Sequence, residues 1–245
     1  MNVFIYDDFL KKHQKVVNNI EISLHKLNLN GKIIYLESVR NLFDAIKDEI
    51  NNGARTIVAV GDDRTVNKVL NAMMNNPATN PPALGIIPVG AQNSIAQACG
   101  VINEREAGQI LLARRMAEIN VGKANKQYFL AQAKIKAKGT TIKIADFSIN
   151  QTENGEINLI NLPTKNCSTK NILVDPNDGK INLFIENGRN KYSAMAITEL
   201  EIENGQEEKL LLDNVLEIET PAKISLSEQK INIIVGKNRI FNLIN

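Results

Sequence analysis

Two short loops in this chain of 245 residues combine the residue types and the spacing needed to bind a phosphate group. The first loop, residues 61–69, follows the apolar segment 56–60 and runs into a segment with helical apolar spacing. The second loop, residues 88–96, also lies between an apolar segment and a helical one. In open α/β sheets, phosphates and nucleotides bind where parallel strands end and helices begin, because helix N-termini offer free amide donors. The spacing therefore predicts a nucleotide site built from both loops.

These two loops resemble the diacylglycerol kinase catalytic-domain family, which comprises bacterial lipid kinases and their sphingosine and ceramide kinase relatives. In that family the first loop reads Gly-Gly-Asp-Gly-Thr, and the second reads Pro-x-Gly-Thr-Gly-Asn-Asp. The residues retained in this chain are Gly61, Asp63, Thr65, Asn67 and Val69 in the first loop and Pro88, Gly90, Asn93 and Ala96 in the second.

Further landmarks follow in the family's order. The family's Leu-Asp-Gly-Glu is matched by residues 212–215, which read Leu-Asp-Asn-Val, and two short apolar segments follow at 224–226 and 231–235. Residues 121–130 resemble the first strand of the family's second domain, and residues 175–183 resemble its Asp-Gly hairpin. The resemblance thus extends from residue 56 to residue 235.

The resemblance implies a reaction and a role for each retained residue. The reaction is transfer of the γ-phosphoryl group of ATP to a lipid alcohol with the help of Mg²⁺. Asp213 is the implied base that accepts the proton of the alcohol. Asp63 and Asp178 are the implied Mg²⁺ ligands, and we expect Asp63, Asn93 and Asp213 to face one cleft. The residues implied to bind the nucleotide are Gly61, Asp63, Arg64, Thr65, Gly90 and Asn93.

The sequence also offers structural alternatives for these residues. Asp63 and Thr65 stand where helix caps belong, and Asp213 is compatible with an ordinary Asp-Asn turn. Arg64 has three open interpretations: its side chain blocks or fills the old site, binds phosphate as a bidentate donor, or faces solvent without a role.

Several positions depart from the family pattern. Asp62 and Arg64 stand where the family has glycines, which let the backbone approach a ligand closely. Val215 replaces the second carboxylate of the downstream motif, and residues 7–10 replace the family's N-terminal Asn-Pro-x-Ser-Gly loop. In the second loop, Ala91, Gln92 and Ser94 replace Thr, Gly and Asp. Two functions therefore remain open: an ATP-dependent lipid kinase, or an inactive pseudokinase that serves as a lipid-, nucleotide- or protein-binding module.

The pattern of apolar residues predicts how these loops are held. Up to residue 119, strands alternate with helices, which indicates a parallel α/β domain. From residue 120 to 245 the period changes to that of strands, which predicts an antiparallel β-sandwich, with the option that the last residues return to the first domain. Two-residue hairpins are predicted at Asn154-Gly155, Asp178-Gly179, Asn187-Gly188 and Asn204-Gly205.

Composition narrows the class of protein. A net charge of +2 argues against a dedicated nucleic-acid binder. No apolar run is long enough to span a bilayer and no signal segment is recognisable, so we expect a cytoplasmic protein. The basic run 134–143 is either a solvated strand face or a patch for anionic lipid headgroups at a membrane surface. Cys99 and Cys167 are expected to be buried free thiols, and a homodimer is left open.

Overall fold

The computed structural model describes residues 1–36, 39, 41–165, 173–187 and 191–241. The chain divides into two compact units. The first comprises Met1–Ile119 and a C-terminal segment that begins at Ile231, and the second comprises Asn120–Lys230.

A six-stranded sheet forms the centre of the first unit. Its spatial order is β2-β1-β3-β4-β18-β5, and all neighbouring pairs are parallel except β18 with β5. Every residue of β3 and β4 is buried, which explains their continuous apolar sequence. The strands are β1 (Asn2–Tyr6), β2 (Gly31–Tyr35), β3 (Thr56–Gly61), β4 (Ala83–Pro88), β5 (Met116–Ile119) and β18 (Ile231–Ile234).

Helices connect these strands, and three of the helices begin at a side-chain cap. Asn41, Asp62 and Asn103 each accept hydrogen bonds from backbone amides in the first turn of the helix that follows. A short 3₁₀ helix, Asp8–Lys12, follows β1 and is capped by Asp7. The α-helices are α1 (Gln14–Lys26), α2 (Leu42–Asn51), α3 (Asp63–Met74), α4 (Ser94–Ala98) and α5 (Glu104–Ala113).

Two antiparallel sheets make up the second unit. One has the order β10-β9-β14-β17-β6-β7 and the other β13-β12-β11-β8-β15-β16. Buried apolar residues from both sheets form one cluster between them, as in a β-sandwich. The strands are β6 (Gly122–Ala124), β7 (Gln127–Phe129), β8 (Gln132–Lys136), β9 (Thr140–Ile144), β10 (Phe147–Asn150), β11 (Glu156–Ile160), β12 (Ile181–Asn187), β13 (Lys191–Ile197), β14 (Glu199–Asn204), β15 (Leu210–Leu212), β16 (Leu216–Ile218) and β17 (Ala222–Leu226). The predicted parallel α/β sheet followed by antiparallel sheets is confirmed.

The predicted hairpin turns are wrong at three of the four dipeptides. Asn154-Gly155 joins β10 to β11 and Asn204-Gly205 joins β14 to β15, and each of these pairs of strands lies in two different sheets. Asp178-Gly179 ends a long connection between β11 and β12. At Asn187-Gly188 the flanking strands β12 and β13 do pair, while residues 188–190 lie outside the described part of the chain.

Tight turns between paired strands are formed by other residues. Asn125, Ala145 and Asp213 adopt φ angles of 54°, 46° and 49°, between β6 and β7, β9 and β10, and β15 and β16 respectively. The sequence around Asn154 and Gly155 looks like a hairpin turn, because the choice of which strands pair depends on the core and not on the turn.

Candidate functional site

Three loops meet at the carboxyl edge of the parallel sheet. Strand register places Tyr6 beside Val60 and Gly61 beside Pro88. The ladder then continues into the loops: the amide of Asp7 donates to the carbonyl of Val60 at 3.0 Å. In the same way, the amide of Val89 donates to the carbonyl of Gly61 at 2.9 Å. The two loops predicted to form one site are therefore adjacent, and the loop after β1 joins them.

The side chain of Asp62 occupies the N-terminus of α3. Its Oδ1 accepts hydrogen bonds from the amides of Arg64 at 3.0 Å and of Thr65 at 3.3 Å. These amides are donors of the kind that a bound phosphate uses at a helix N-terminus. Asp62 thus takes the position of the anion with its own carboxylate, at the place where the family has a glycine. The sequence signal was available, since Asp directly before a helix is a strong N-cap.

Asp63 links the first loop to the second. Its Oδ2 accepts hydrogen bonds from the amide of Ser94 at 2.8 Å and from the Ser94 hydroxyl at 2.6 Å, and its Oδ1 accepts from the amide of Ile95 at 3.0 Å. In addition, the Asp63 amide donates to the carbonyl of Gln92 at 2.8 Å. The cap expected from Asp63 therefore serves α4 and not α3, the helix in which Asp63 itself lies.

Burial decides the electrostatic state of Asp63. The residue is only 3% exposed, and the removal of its carboxyl group from water raises its pKa above the usual value, although the hydrogen bonds from Ser94 and Ile95 act in the opposite direction. Both carboxylate oxygens already accept hydrogen bonds within the protein. Asp63 therefore presents little free carboxylate to a ligand or an ion.

Thr65 and Gly61 are explained by a contact with the loop after β1. The Thr65 hydroxyl donates to Oδ2 of Asp7 at 2.6 Å, and Thr65 is fully buried. A Cβ atom added at Gly61 would clash with Oγ1 of Thr65 and lie 3.1 Å from Cβ of Asp7. Gly61 thus makes room for this hydrogen bond. No local sequence pattern singles out Asp7, because its partner Thr65 lies 58 residues away.

The second loop turns at Gly90. The φ angle of Gly90 is 101°, which residues with a side chain rarely adopt. Gly90 lies beside Cβ of Asp62 and the ring of Phe9. Asn93 closes the turn by donating from Nδ2 to the Gly90 carbonyl at 2.8 Å. Asn93 precedes α4 without capping it through its side chain, because Asp63 takes over that role.

Arg64 is exposed at the start of α3. Its backbone amide donates to Oδ1 of Asp62. Among the described residues, no carboxylate forms a salt bridge with the Arg64 guanidinium. An exposed side chain does not fill the loop. This favours a solvent-facing Arg64, and phosphate binding by its guanidinium stays a prediction.

Asp213 is held by the second unit from within. It is 1% exposed, and its carboxylate accepts hydrogen bonds from three successive amides, those of Leu130 at 2.9 Å, Ala131 at 2.7 Å and Gln132 at 3.2 Å. The Asp213 amide in turn donates to the Gln132 carbonyl. Asn214, at the family's glycine position, has a φ angle of 60°, which Asn tolerates better than most residues. That Asp213 faces the same cleft as Asp63 and Asn93 stays a prediction.

The predicted metal ligands have different surroundings. Asp178 is exposed in a turn and accepts a hydrogen bond from the amide of Lys180 at 2.8 Å, whereas Asp63 is buried. Among the described residues, no group of three or more His, Cys, Asp or Glu side chains has the arrangement needed to hold a metal ion.

A family model described as the diacylglycerol kinase catalytic domain matches residues 7–124. The match covers just under half of the chain and includes both loops. The family predicted from the two loops is therefore confirmed.

Curated relatives carry the name "Probable lipid kinase YegS-like". The protein of that name from Yersinia enterocolitica serotype O:8 / biotype 1B is 31% identical over 131 residues, which are 44% of this chain and 44% of the relative. The one from Enterobacter sp. (strain 638) is 29% identical over 107 residues, which are 42% of this chain and 36% of the relative. The matched segment thus spans less than half the length of these relatives.

Solved structures extend the likeness of fold to nearly the whole chain. A diacylglycerol kinase from Bacillus anthracis str. Sterne has a TM-score of 0.75 at 18% identity and covers 98% of both chains. An NAD kinase from Archaeoglobus fulgidus in complex with ATP has a TM-score of 0.61 at 12% identity and covers 98% of this chain and 95% of that one. At these identities the likeness concerns the fold alone.

In the part of the chain that the structure describes, no helix is long and apolar enough to cross a membrane.

Proposed function

We propose that this member of the diacylglycerol kinase-like family is a pseudokinase, a binding protein that has kept the kinase fold and lost phosphoryl transfer. The observation that carries the proposal is the cap made by Asp62, whose carboxylate already accepts the hydrogen bonds of the Arg64 and Thr65 amides. A phosphate would have to displace a covalently attached anion from these donors and would meet its negative charge.

The residues present do not fit ATP and Mg²⁺ well. Asp62 blocks one helix N-terminus, and Asp63 caps the other through Ser94 and Ile95. The carboxylate implied as a base, Asp213, accepts three backbone hydrogen bonds. A base must be able to reach the proton that it removes, and a buried carboxylate with these partners is suited to holding a turn.

The test of this proposal is calorimetry of the whole chain with Mg-ATP. We expect binding weaker than about 1 mM, which corresponds to less than roughly 4 kcal/mol of binding free energy. Under the same conditions, we expect no transfer of phosphate to diacylglycerol in vesicles. Micromolar binding of Mg-ATP together with phosphorylated lipid would overturn the proposal and establish an active kinase.

One observation favours the second candidate, an ATP-dependent lipid kinase acting on diacylglycerol or a similar lipid alcohol. The exposed Arg64 lies beside the blocked helix N-terminus, where a guanidinium is able to bind phosphate as a bidentate donor. The names of the curated relatives agree with this candidate. Phosphoryl transfer that is lost in Arg64→Ala would support it.

The basic run 134–143 gives little support for contact with a membrane surface. Lys136 pairs with Glu208 at 2.7 Å, and Lys143 pairs with Glu203 at 2.8 Å. Carboxylates beside these lysines reduce their attraction for anionic headgroups. These ion pairs support the solvated strand face that the sequence had left as one of two alternatives.

A further inference from the structure

A cavity of about 850 Å³ opens at the amino edge of the parallel sheet. Arg55, directly before β3, and Pro81, two residues before β4, both line it. The two family loops follow the carboxyl ends of the same strands, so the cavity and the loops lie at opposite edges of the sheet. The volume is in the range of pockets that hold small molecules. The cavity is therefore a possible binding site that does not depend on the state of the loops.

Three cations line this cavity, and none of the other described residues that line it is acidic. The cations are Lys47 on α2, Arg55 before β3 and Arg114 after α5. In the part of the chain that the structure describes, no carboxylate forms a salt bridge with any of them. Their positive charge is thus available to an anion.

The ends of three helices account for only part of this positive charge. Cations stabilise helix C-termini, and α2, α3 and α5 all end at the cavity, where Asn51, Asn75 and Arg114 line it. Each helix end carries about half a negative charge, so three ends leave an excess of about one and a half positive charges. The excess favours an anionic ligand.

Arg114 is held in position at the cavity. Its φ angle of 46° lies in the left-handed region, where helices commonly end with a glycine because a side chain makes this conformation costly. Its guanidinium donates from Nη1 to Oγ1 of Thr56 at 2.6 Å and from Nη2 to the carbonyl of Arg55 at 3.3 Å. A guanidinium has five N–H donors, so an oriented fork keeps donors for a phosphate.

Polar side chains on the wall of the cavity suit hydroxyl groups. Asn51, Asn75, Thr79 and Asn80 all line it and are exposed. Amide and hydroxyl side chains both donate and accept hydrogen bonds, as the hydroxyl groups of a sugar do. The wall therefore matches an anion that also carries several hydroxyl groups.

We propose that the cavity binds a phosphorylated polyol, with its phosphate on Lys47, Arg55 and Arg114 and its hydroxyl groups on the asparagines and Thr79. Free sugar phosphates and the headgroups of phosphoinositide lipids share this chemistry. The proposal goes beyond the pseudokinase function and does not rest on it, because the residues involved lie at the other edge of the sheet from Asp62.

The test uses the full chain and two probes, one for each source of the ligand. Calorimetry measures binding of glucose 6-phosphate, and co-sedimentation measures binding to phosphatidylcholine vesicles that contain phosphatidylinositol 4-phosphate. We expect binding to at least one probe, weakened by added salt. Arg55→Glu should weaken it by roughly tenfold or more. Binding of glucose 6-phosphate identifies a soluble ligand, whereas binding of the vesicles alone identifies a lipid headgroup.

The matched control is Arg105→Glu, which makes the same change of charge in the first turn of α5. Arg105 is exposed, and we expect this variant to bind like the wild type. Melting curves of both variants should coincide with that of the wild type within a few degrees. In NMR spectra, the bound probe should shift the amide signals of residues 51–55 and 75–80.

Three results would overturn the proposal. The first is a wild type that binds neither probe. The second is equal weakening by Arg55→Glu and Arg105→Glu, because the attraction would then be one of overall charge. The third is a shift of the amide signals of residues 88–94 in place of those of residues 51–55, which would put the ligand at the opposite edge of the sheet.

Discussion

The replacement Asp62→Gly restores the glycine of the family loop and removes the carboxylate that caps α3. In the wild type, Oδ1 of Asp62 accepts hydrogen bonds from the amides of Arg64 and Thr65. In the variant both donors become available at the N-terminus of a twelve-residue helix. We therefore expect stronger binding of inorganic pyrophosphate and of Mg-ATP.

The size of the effect follows from these two hydrogen bonds. A hydrogen bond to a charged group contributes about 1.5 to 3 kcal/mol, so a single recovered bond predicts roughly tenfold tighter binding. Loss of the Asp62 charge acts in the same direction. The cost in stability is small, because replacing an N-cap by glycine lowers the free energy of unfolding by about a few tenths of a kcal/mol.

Calorimetry with each ligand and urea denaturation measure the two quantities separately. Asp62→Asn is the matched control, since Asn caps helices as well as Asp does but carries no charge. It should improve binding much less than Asp62→Gly, because its amide oxygen still occupies the donors. Asp62→Gly combined with Arg64→Gly rebuilds the whole family loop and reports on Arg64: weaker binding than in the single variant indicates that its guanidinium attracts phosphate.

Two outcomes would refute this reasoning. If Asp62→Gly binds pyrophosphate no better than the wild type, the cap is not what excludes the anion. If Asp62→Asn and Asp62→Gly improve binding equally, charge repulsion alone accounts for the weak affinity, and occupation of the Arg64 and Thr65 amides has no part in it.

Three further predictions concern buried groups. Asp213→Asn leaves an amide NH₂ facing a backbone donor, so it should lower the free energy of unfolding in urea by about 1 to 3 kcal/mol. The control Asp178→Asn lies in an exposed turn and should change this free energy by less than about 0.5 kcal/mol. Equal effects of the two variants would contradict the prediction. Burial raises the pKa of Asp63 above 3.8, so the folded state holds that proton more tightly, and the free energy of unfolding should fall as pH rises from 3.8 through the raised pKa. That slope should be absent in Asp63→Asn, and a slope shared by both proteins would have another origin. Burial, and to a lesser extent the nearby charge of Asp63, raises the pKa of Cys99 to about 12. In a Cys167→Ser background, Ellman's reagent should therefore label Cys99 at pH 8 only as the protein unfolds. Labelling that is faster than unfolding would refute this prediction.

Much of the fold follows from local sequence patterns. Strands β3 and β4 are buried along their whole length, so their apolar runs identify them without any knowledge of neighbours. Strand pairing in the sandwich is harder to predict, because a turn dipeptide is interpreted from its flanking residues alone. Gly155 and Gly205 lie in connections that move the chain from one sheet to the other. Which strands pair is decided by the common apolar cluster of both sheets, and that cluster is assembled from residues far apart in the chain.

The adjacency of the two loops was predictable from the sequence, but the direction of their carboxylates was not. Asp62 and Asp63 are neighbours in sequence, yet they cap two different helices. At the start of a helix, successive side chains point in different directions, so one carboxylate turns back on α3 and the next reaches Ser94, which is 31 residues away. Asp213 depends on amides more than 80 residues away. No pattern within either loop contains this information.

A retained aspartate is therefore weak support for retained chemistry in this fold. Asp63 and Asp213 each accept three hydrogen bonds within the protein, and the loss of either would leave buried donors unpaired, at a cost of about 1 to 3 kcal/mol for each donor. Stability alone would be sufficient to keep both residues in a chain without catalytic activity. The glycine that the family has at position 62 would not stabilise the fold in this way, because a glycine caps α3 less well than Asp62 does. Asp62 thus caps α3 through the donors that a phosphate would need, which is the arrangement expected under the proposed pseudokinase function.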